Sequence, residues 1–303
     1  MVKMMKIALV GAGHMGRLHA RTIAGREDAA LVAVYDVDAA AAAALADAHG
    51  ARVLRDVRDL VGAVDAAVLA AATSAHRDLA LALVSAGIPL LVEKPLAGTV
   101  AEAREIARAA NRAGATLQVG HILRFDPVTR AIAERTFTPA EIRVSWRSPF
   151  TGRSTDVSVV MDLAIHGIDL VLKWAGGMPE EVTATGRTVK GPHTDEVEAH
   201  LEFAGGCVAD LFASRVSETR ERRIRIAAGR ETIELDYAAR TVRWGSEALP
   251  VETGPDALTA QMNSFLAAVR GEAPVAVSAD EGARAVEVAE RIHEAVAGGP
   301  AKA

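Results

Sequence analysis

The chain has 303 residues, half of them apolar and about a quarter charged, which suits a packed globular protein of roughly two domains. Its formal net charge of −5 excludes the basic balance of a nucleic-acid-binding surface. The single cysteine, Cys207, excludes an intrachain disulfide or a cysteine-cluster metal site and points to the reducing cytoplasm, while no secretion-signal layout opens the sequence and no apolar run reaches the roughly 20 residues that span a bilayer.

Residues 6–10 (K-I-A-L-V) predict a strand. G-A-G-H-M-G follows at once, then a helical pattern to about Ala24, a second apolar run at 31–35, and Asp36. Strand, Gly-rich turn, helix, strand and acid make one βαβ unit. The Ala-rich stretch 39–46 predicts helix, because alanine has the best helix propensity. Residues 66–71 are apolar without alternation and predict a parallel strand buried on both faces. Residues 76–86 predict a helix ending at Gly87, and 89–92 the next strand. Thr99 and Glu102 form a T-x-x-E capping box for a helix to about Ala113, stopped by Gly114. A further strand is expected at 116–120. Strands alternating with helices predict that residues 1–121 are an α/β, doubly wound parallel domain.

The pattern then changes. At 141–147, Ile142, Val144 and Trp146 alternate with Glu141, Arg143, Ser145 and Arg147, and 197–203 alternates in the same way before Gly205-Gly206. Residues 223–227, 232–236 and 240–244 are further short strands, and helices are expected at 159–174, 256–270 and 279–297, the last with a capping box of Ser278 and Glu281. Period-two alternation with glycine turns predicts an open, mainly antiparallel sheet with one covered face. Residues 122–303 are thus expected to be an α+β domain.

Gly11, Gly13 and Gly16 make G-x-G-x-x-G, with His14 and Met15 inside it. After a strand and at the start of a helix, this spacing predicts a dinucleotide site. The first glycine permits the tight turn, the second lets backbone approach a pyrophosphate, and the third lets helix and strand pack closely. The helix N-terminus offers N–H groups to phosphates. Asp36, at the end of the second strand, would accept hydrogen bonds from the adenosine ribose and repel a 2′-phosphate, so NAD is expected rather than NADP. Asp38 is expected to start a turn.

Two further groups of residues suit catalysis, each with a structural alternative. Lys94 ends a parallel strand, where open α/β sheets bind ligands. It would hydrogen-bond a reacting hydroxyl and steady charge on its oxygen, or it would pair with Glu93 at the surface. Asp162 and His166 are four apart in a predicted helix, hence on one face. A carboxylate beside an imidazole orients it and tunes it as a base, though a lone histidine on such a helix is more often structural.

Glu93-Lys94-Pro95, V-G-H-I-L-R-F-D-P at 119–127, and D-L-A-I-H-G-I-D at 162–169, with G-A-G-H-M-G ahead of them, resemble the glucose–fructose oxidoreductase/inositol dehydrogenase/MocA family over essentially the whole chain. The resemblance implies a Rossmann domain followed by an α/β domain whose open sheet face makes homodimer or homotetramer contacts. It implies Lys94 and His166 as catalytic residues, with Asp162 as partner or substrate ligand. It also implies Thr73, His76 and Glu93 near the cofactor, and His121 and Arg124 near substrate or nicotinamide. The family often has proline where this chain has Ser74. Arg124 has an interdomain salt bridge as its alternative, and Asp169 is expected as a helix-surface acid.

Many members carry a glycine pair before D-x-x-x-H, where this chain reads T-D-V-S-V-V-M-D. That segment and S-P-F-T-G-R before it are similar to the branch containing UDP-N-acetylglucosamine 3-dehydrogenase. In that case Arg147 and Arg153 would meet a substrate diphosphate, with a plain surface role as the alternative for each. The implied reaction is reversible hydride transfer between a ring hydroxyl of a sugar, polyol or nucleotide-sugar and NAD. The alternatives are an NAD-using glycosidase of the same family and a non-catalytic NAD-binding regulator. No metal is expected, because the histidines and acids show no closed ligand spacing.

Overall fold

The computed structural model describes residues 4–152 and 157–298. The chain divides into two compact units: Met1–His121 with Leu258–Ala283, and Ile122–Ala257 with Arg284–Ala303.

The first unit is built on six parallel strands in the order β3-β2-β1-β4-β5-β6, namely β1 (Met5–Val10), β2 (Ala29–Tyr35), β3 (Arg52–Val53), β4 (Ala66–Leu69), β5 (Leu90–Glu93) and β6 (Leu117–Gly120). Strands β4, β5 and β6 are buried along their whole length, as both faces of a doubly wound sheet must be. Helices α1 (His14–Ala24), α2 (Ala39–His49), α3 (Thr73–Ser85) and α4 (Val100–Ala113) connect them. The predicted cap is made: Thr99 Oγ1 accepts from Glu102 N–H at 3.3 Å, and Gly114 closes α4 in the left-handed conformation. Asp38 caps α2 by accepting from the N–H groups of Ala40 and Ala41.

Helix α7 (Ala257–Val269) follows the second sheet in sequence, but almost all of it belongs to the first unit. The reason is hydrophobic. Met262, Phe265 and Leu266 are fully buried in one cluster with Ile7, Leu9, Ile23, Val34, Val68 and Leu91. Full burial of such side chains stabilises by about 1.5–3 kcal/mol each. Residues 258–283 are therefore not part of the second unit, as a single boundary at 121/122 would have them.

The second unit holds eight strands in the order β14-β13-β12-β11-β7-β10-β9-β8. They are β7 (Glu141–Arg147), β8 (Pro179–Arg187), β9 (Glu196–Phe203), β10 (Val208–Ser214), β11 (Glu221–Ala228), β12 (Glu231–Asp236), β13 (Thr241–Trp244) and β14 (Glu247–Leu249). All pairs are antiparallel except β10 with β7. Ile142, Val144 and Trp146 bury one face with Val197, Ala199, Leu201, Leu211, Ile224 and Ile226. Short helix α5 (Pro127–Arg130) and helix α6 (Ile165–Ala175) belong to this unit. A Cβ on Gly167 would come within 2.6 Å of Val144 Cγ1, so glycine is what lets α6 lie this close to β7. Helix α8 (Ala279–Gly298) opens in the first unit and ends in the second. Its box is reciprocal, with Ser278 N–H donating to Glu281 and Glu281 N–H to Ser278 Oγ.

No described helix is long and apolar enough to cross a membrane.

Candidate active site

The glycines of the first turn do separate work. Gly11 has φ +110°, and a Cβ there would sit 2.4 Å from the Ala70 backbone. A Cβ on Gly16 would sit 2.1 Å from Gly11 O, so the third glycine sets the closeness of α1 to the turn. A Cβ on Gly13 would meet nothing within 4 Å. Gly13 is the N-cap of α1 and makes no side-chain cap, and His14 and Met15 open the helix. Orphan N–H groups thus face open space at a helix N-terminus, which fits a pyrophosphate. Asp36 Oδ2 accepts from Ala12 N–H at 2.6 Å and Oδ1 from Asp38 N–H at 2.8 Å. The acid pins the glycine turn to the end of β2, and lone pairs remain for a ribose. Thr73, partly exposed, is the first residue of α3. These residues fit NAD.

At the end of β5, every residue from Leu90 to Ala97 is buried except Lys94. The Lys94–Pro95 peptide is cis. Glu93 is 6% exposed. Its Oε1 lies 2.7 Å from Nε2 of the fully buried His19, and its Oε2 accepts from Lys94 N–H at 3.3 Å. Glu93 is thus a buried acid held by α1 and by its own turn. His76, on α3, is a second buried side chain at this turn. It is 1% exposed, with Nδ1 3.0 Å from Pro95 O and Nε2 3.1 Å from Ala71 O. Burial lowers its pKa, and the two carbonyls oppose that. In its neutral form the ring has one N–H and donates to one of these two carbonyls. His121 follows β6 and is also buried.

In the second unit, a π-helical turn, Val160–Ala164, precedes α6. The sequence predicts one continuous helix here, with Asp162 and His166 stacked at α-helical spacing. The structure instead carries Asp162 in the π turn and His166 as the second residue of α6. Between Ser158 and Leu172 only Asp162, Leu163 and His166 are not buried. The segment is anchored from behind: Ser158 Oγ accepts from Met161 N–H and bonds His293 Nε2 at 2.5 Å.

Arg124 and Asp169 form a buried bidentate pair at 2.8 and 2.7 Å, with side chains 6% and 2% exposed. Asp169 is therefore not a surface acid. Arg124 gives the Nε and Nη2 edge of its fork to an ion pair within the unit. Arg147 lies on the sheet face opposite Val144 and Trp146, 4.5 Å over the Phe212 ring, so it does not share the face on which α6 packs. Arg153 lies outside the described residues.

Sequence reasoning missed His19 and Arg222. His19 follows Gly16 by three residues, the spacing of one helix face, and that was its only signal. Arg222 pairs with Trp146 in register and lies on the same sheet face as Ile224 and Ile226, at the end of the strand where its side chain is still exposed. Surrounding protein lowers its pKa by desolvation, Arg220 adds to this, and Asp162 and Asp126 oppose it. Its signal was hidden because the predicted strand began one residue later.

A Rossmann unit with an open glycine turn and an acid at the end of β2 defines an NAD-binding fold. Residues 5–121 match the model of the oxidoreductase family with an NAD-binding Rossmann fold, and residues 130–234 match the GFO/IDH/MocA C-terminal domain. The chain is 31% identical to UDP-N-acetylglucosamine 3-dehydrogenase of Acidithiobacillus ferrooxidans over 96% of this chain and 97% of that one. A solved structure of that enzyme superposes with a TM-score of 0.91, covering 98% of each chain. It is 28% identical to inositol 2-dehydrogenase of Rhizobium meliloti over 96% of this chain and 97% of that one. The protein belongs to the glucose–fructose oxidoreductase/inositol dehydrogenase/MocA family, and is an NAD-dependent oxidoreductase of CH–OH groups.

Proposed function

We propose that the protein transfers hydride between a ring hydroxyl of a sugar, polyol or nucleotide-sugar and NAD, with UDP-N-acetylglucosamine the first substrate to test. Bound NAD supplies the hydride acceptor at C4 of its nicotinamide. His166 takes the hydroxyl proton as general base, and Asp162 orients the imidazole or holds a neighbouring substrate hydroxyl. The Lys94 ammonium donates a hydrogen bond to the oxygen as it gains negative charge. The carbon that loses hydride and the oxygen that loses its proton become a ketone. Arg222, whose charge is favoured by Asp162 and Asp126, is a further candidate to bind a polar or anionic substrate group.

The observation that carries this reading is selective exposure: Lys94 in the first unit, and Asp162 and His166 in the second, are accessible within otherwise buried segments. Full-length similarity to a nucleotide-sugar dehydrogenase supports the substrate class. A single buried Cys207 suits the cytoplasm. The outward face of the second sheet, where Arg143 and Arg147 interleave with Glu198 and Asp210, supports a homodimer or homotetramer formed through that face, to be checked by light scattering.

The test is a screen of UDP-sugars, aldoses and inositols with NAD and NADP, followed at 340 nm, on the parent enzyme, Lys94→Ala and His166→Ala. Each variant should lose about 10²–10⁴-fold in kcat with NAD affinity nearly unchanged. Near-parental rates in both would remove the assignment. Glycoside cleavage without net NADH would favour the glycosidase, and NAD binding without turnover of any substrate the regulator.

A further inference from the structure

We infer that His19 is a positioning residue for Lys94, acting through Glu93. The inference rests on the reading of Lys94 as the group that meets the reacting hydroxyl.

His19 lies on the buried face of α1, the helix that opens at the dinucleotide turn, and is fully buried. Its Nε2 is 2.7 Å from Glu93 Oε1. A carboxylate only accepts, so the proton of this bond belongs to Nε2. Nδ1 is buried without a hydrogen-bond partner among the described residues, so the imidazole spends its one bond on Glu93. Glu93 Oε2 then accepts from the Lys94 backbone N–H at 3.3 Å. Space for the carboxylate comes from β6, where a Cβ on Gly120 would stand 3.1 Å from Glu93 Cδ and Oε2. The chain of contacts runs from the cofactor helix through imidazole and carboxylate to the peptide that carries Lys94. On its other side the same turn is held by His76 Nδ1 at Pro95 O, 3.0 Å away.

A purely structural reason for this pair is weak. Buried charged or polar pairs often add no more stability than an apolar pair of similar volume. A paired carboxylate does fix direction, which a leucine contact does not. The residue it fixes is the one accessible side chain in Leu90–Ala97. Loss of the bond should let the E-K-P turn drift and cost turnover, since displacements of about 1 Å cost on the order of 10²-fold.

The experiment compares kcat, KM, NAD affinity and thermal midpoint in His19→Leu and His19→Gln. Leucine keeps the volume and removes the donor. Glutamine places an amide N–H about where Nε2 stands. His19→Leu should lower kcat by on the order of 10²-fold with substrate KM and NAD affinity within about three-fold, and His19→Gln should regain at least about ten-fold of that loss. If His19→Leu does not fold, His19→Asn, whose amide is too short to reach Glu93, must show the same loss. Parental kcat in the leucine variant, or glutamine as poor as leucine, would overturn the inference. A Lys94→Ala control separates the two failures. An active Lys94→Ala sinks the reading of the site itself, whereas an inactive Lys94→Ala beside a fully active His19→Leu sinks only the role of His19.

Discussion

Asp36 commits one oxygen to Ala12 N–H and the other to Asp38 N–H, yet a carboxylate has about four acceptor sites. It thus joins the glycine turn to β2 and still presents negative charge to whatever lies beyond. A ribose diol gains hydrogen bonds there, and a 2′-phosphate meets repulsion. Asp36→Ala should raise KM for NAD and narrow the NAD over NADP preference by at least about ten-fold, about 1.4 kcal/mol, read from kcat/KM with each cofactor. An unchanged preference would move the discrimination elsewhere. Asp36 was legible because strand, glycines and acid are close in sequence. The Arg124–Asp169 pair was not, because nothing local tells which acid 45 residues away will fill an arginine fork.

At the scale of elements, the turn between β1 and α1 leaves the least room. A Cβ on Gly16 would lie 2.1 Å from Gly11 O, a backbone atom that cannot swing aside. Gly16→Ala should therefore push α1 away from the turn, cost about 1–3 kcal/mol in urea unfolding, and weaken NAD binding measured by calorimetry. Binding at parental strength would show that the turn tolerates the shift. The elements the sequence missed have physical reasons. Strand β8 sits at the sheet edge and is mostly exposed, so it has little apolar alternation to read. Strand β10 has Val208 and Phe212 on one face and Ala209, Leu211 and Ala213 on the other, which blurs the period. The π turn at Val160–Ala164 has the same apolar content as an α-helix, and its i→i+5 bonds leave no mark in composition.

For the whole molecule, α7 ties late sequence to early sequence. Arg270 Nη2 donates to Asp28 Oδ2 at 2.6 Å, and Arg26 clasps the same carboxylate at 2.8 and 3.0 Å. The Arg26 bond chiefly lowers the Asp28 pKa to about 2 from 3.8, with Arg270 adding and burial opposing. A folded pKa below the unfolded value contributes stability above pH 3.8 that is lost as pH falls toward 2. The second unit has a parallel case. Burial raises Asp195, but N–H groups of Val189, Lys190 and Gly191 and the Arg215 guanidinium overcome it and hold the carboxyl far below the usual range. Urea unfolding should therefore lose about 2 kcal/mol between about pH 5 and pH 2 in the parent that Asp28→Asn does not lose. Equal acid sensitivity in both would refute the linkage.

The sequence by itself determined the doubly wound first sheet, the dinucleotide turn, the caps of α4 and α8, and the lysine, aspartate and histidine offered for chemistry. Each is written in neighbouring residues whose spacing matches a helix, a strand or a tight turn. Tertiary structure alone decided that α7 completes the first core, that Glu93 and His76 serve the E-K-P turn, that Arg124 belongs to Asp169, and that a π turn presents Asp162. Those outcomes depend on which distant side chains meet once burial removes water, and no local pattern encodes such a meeting.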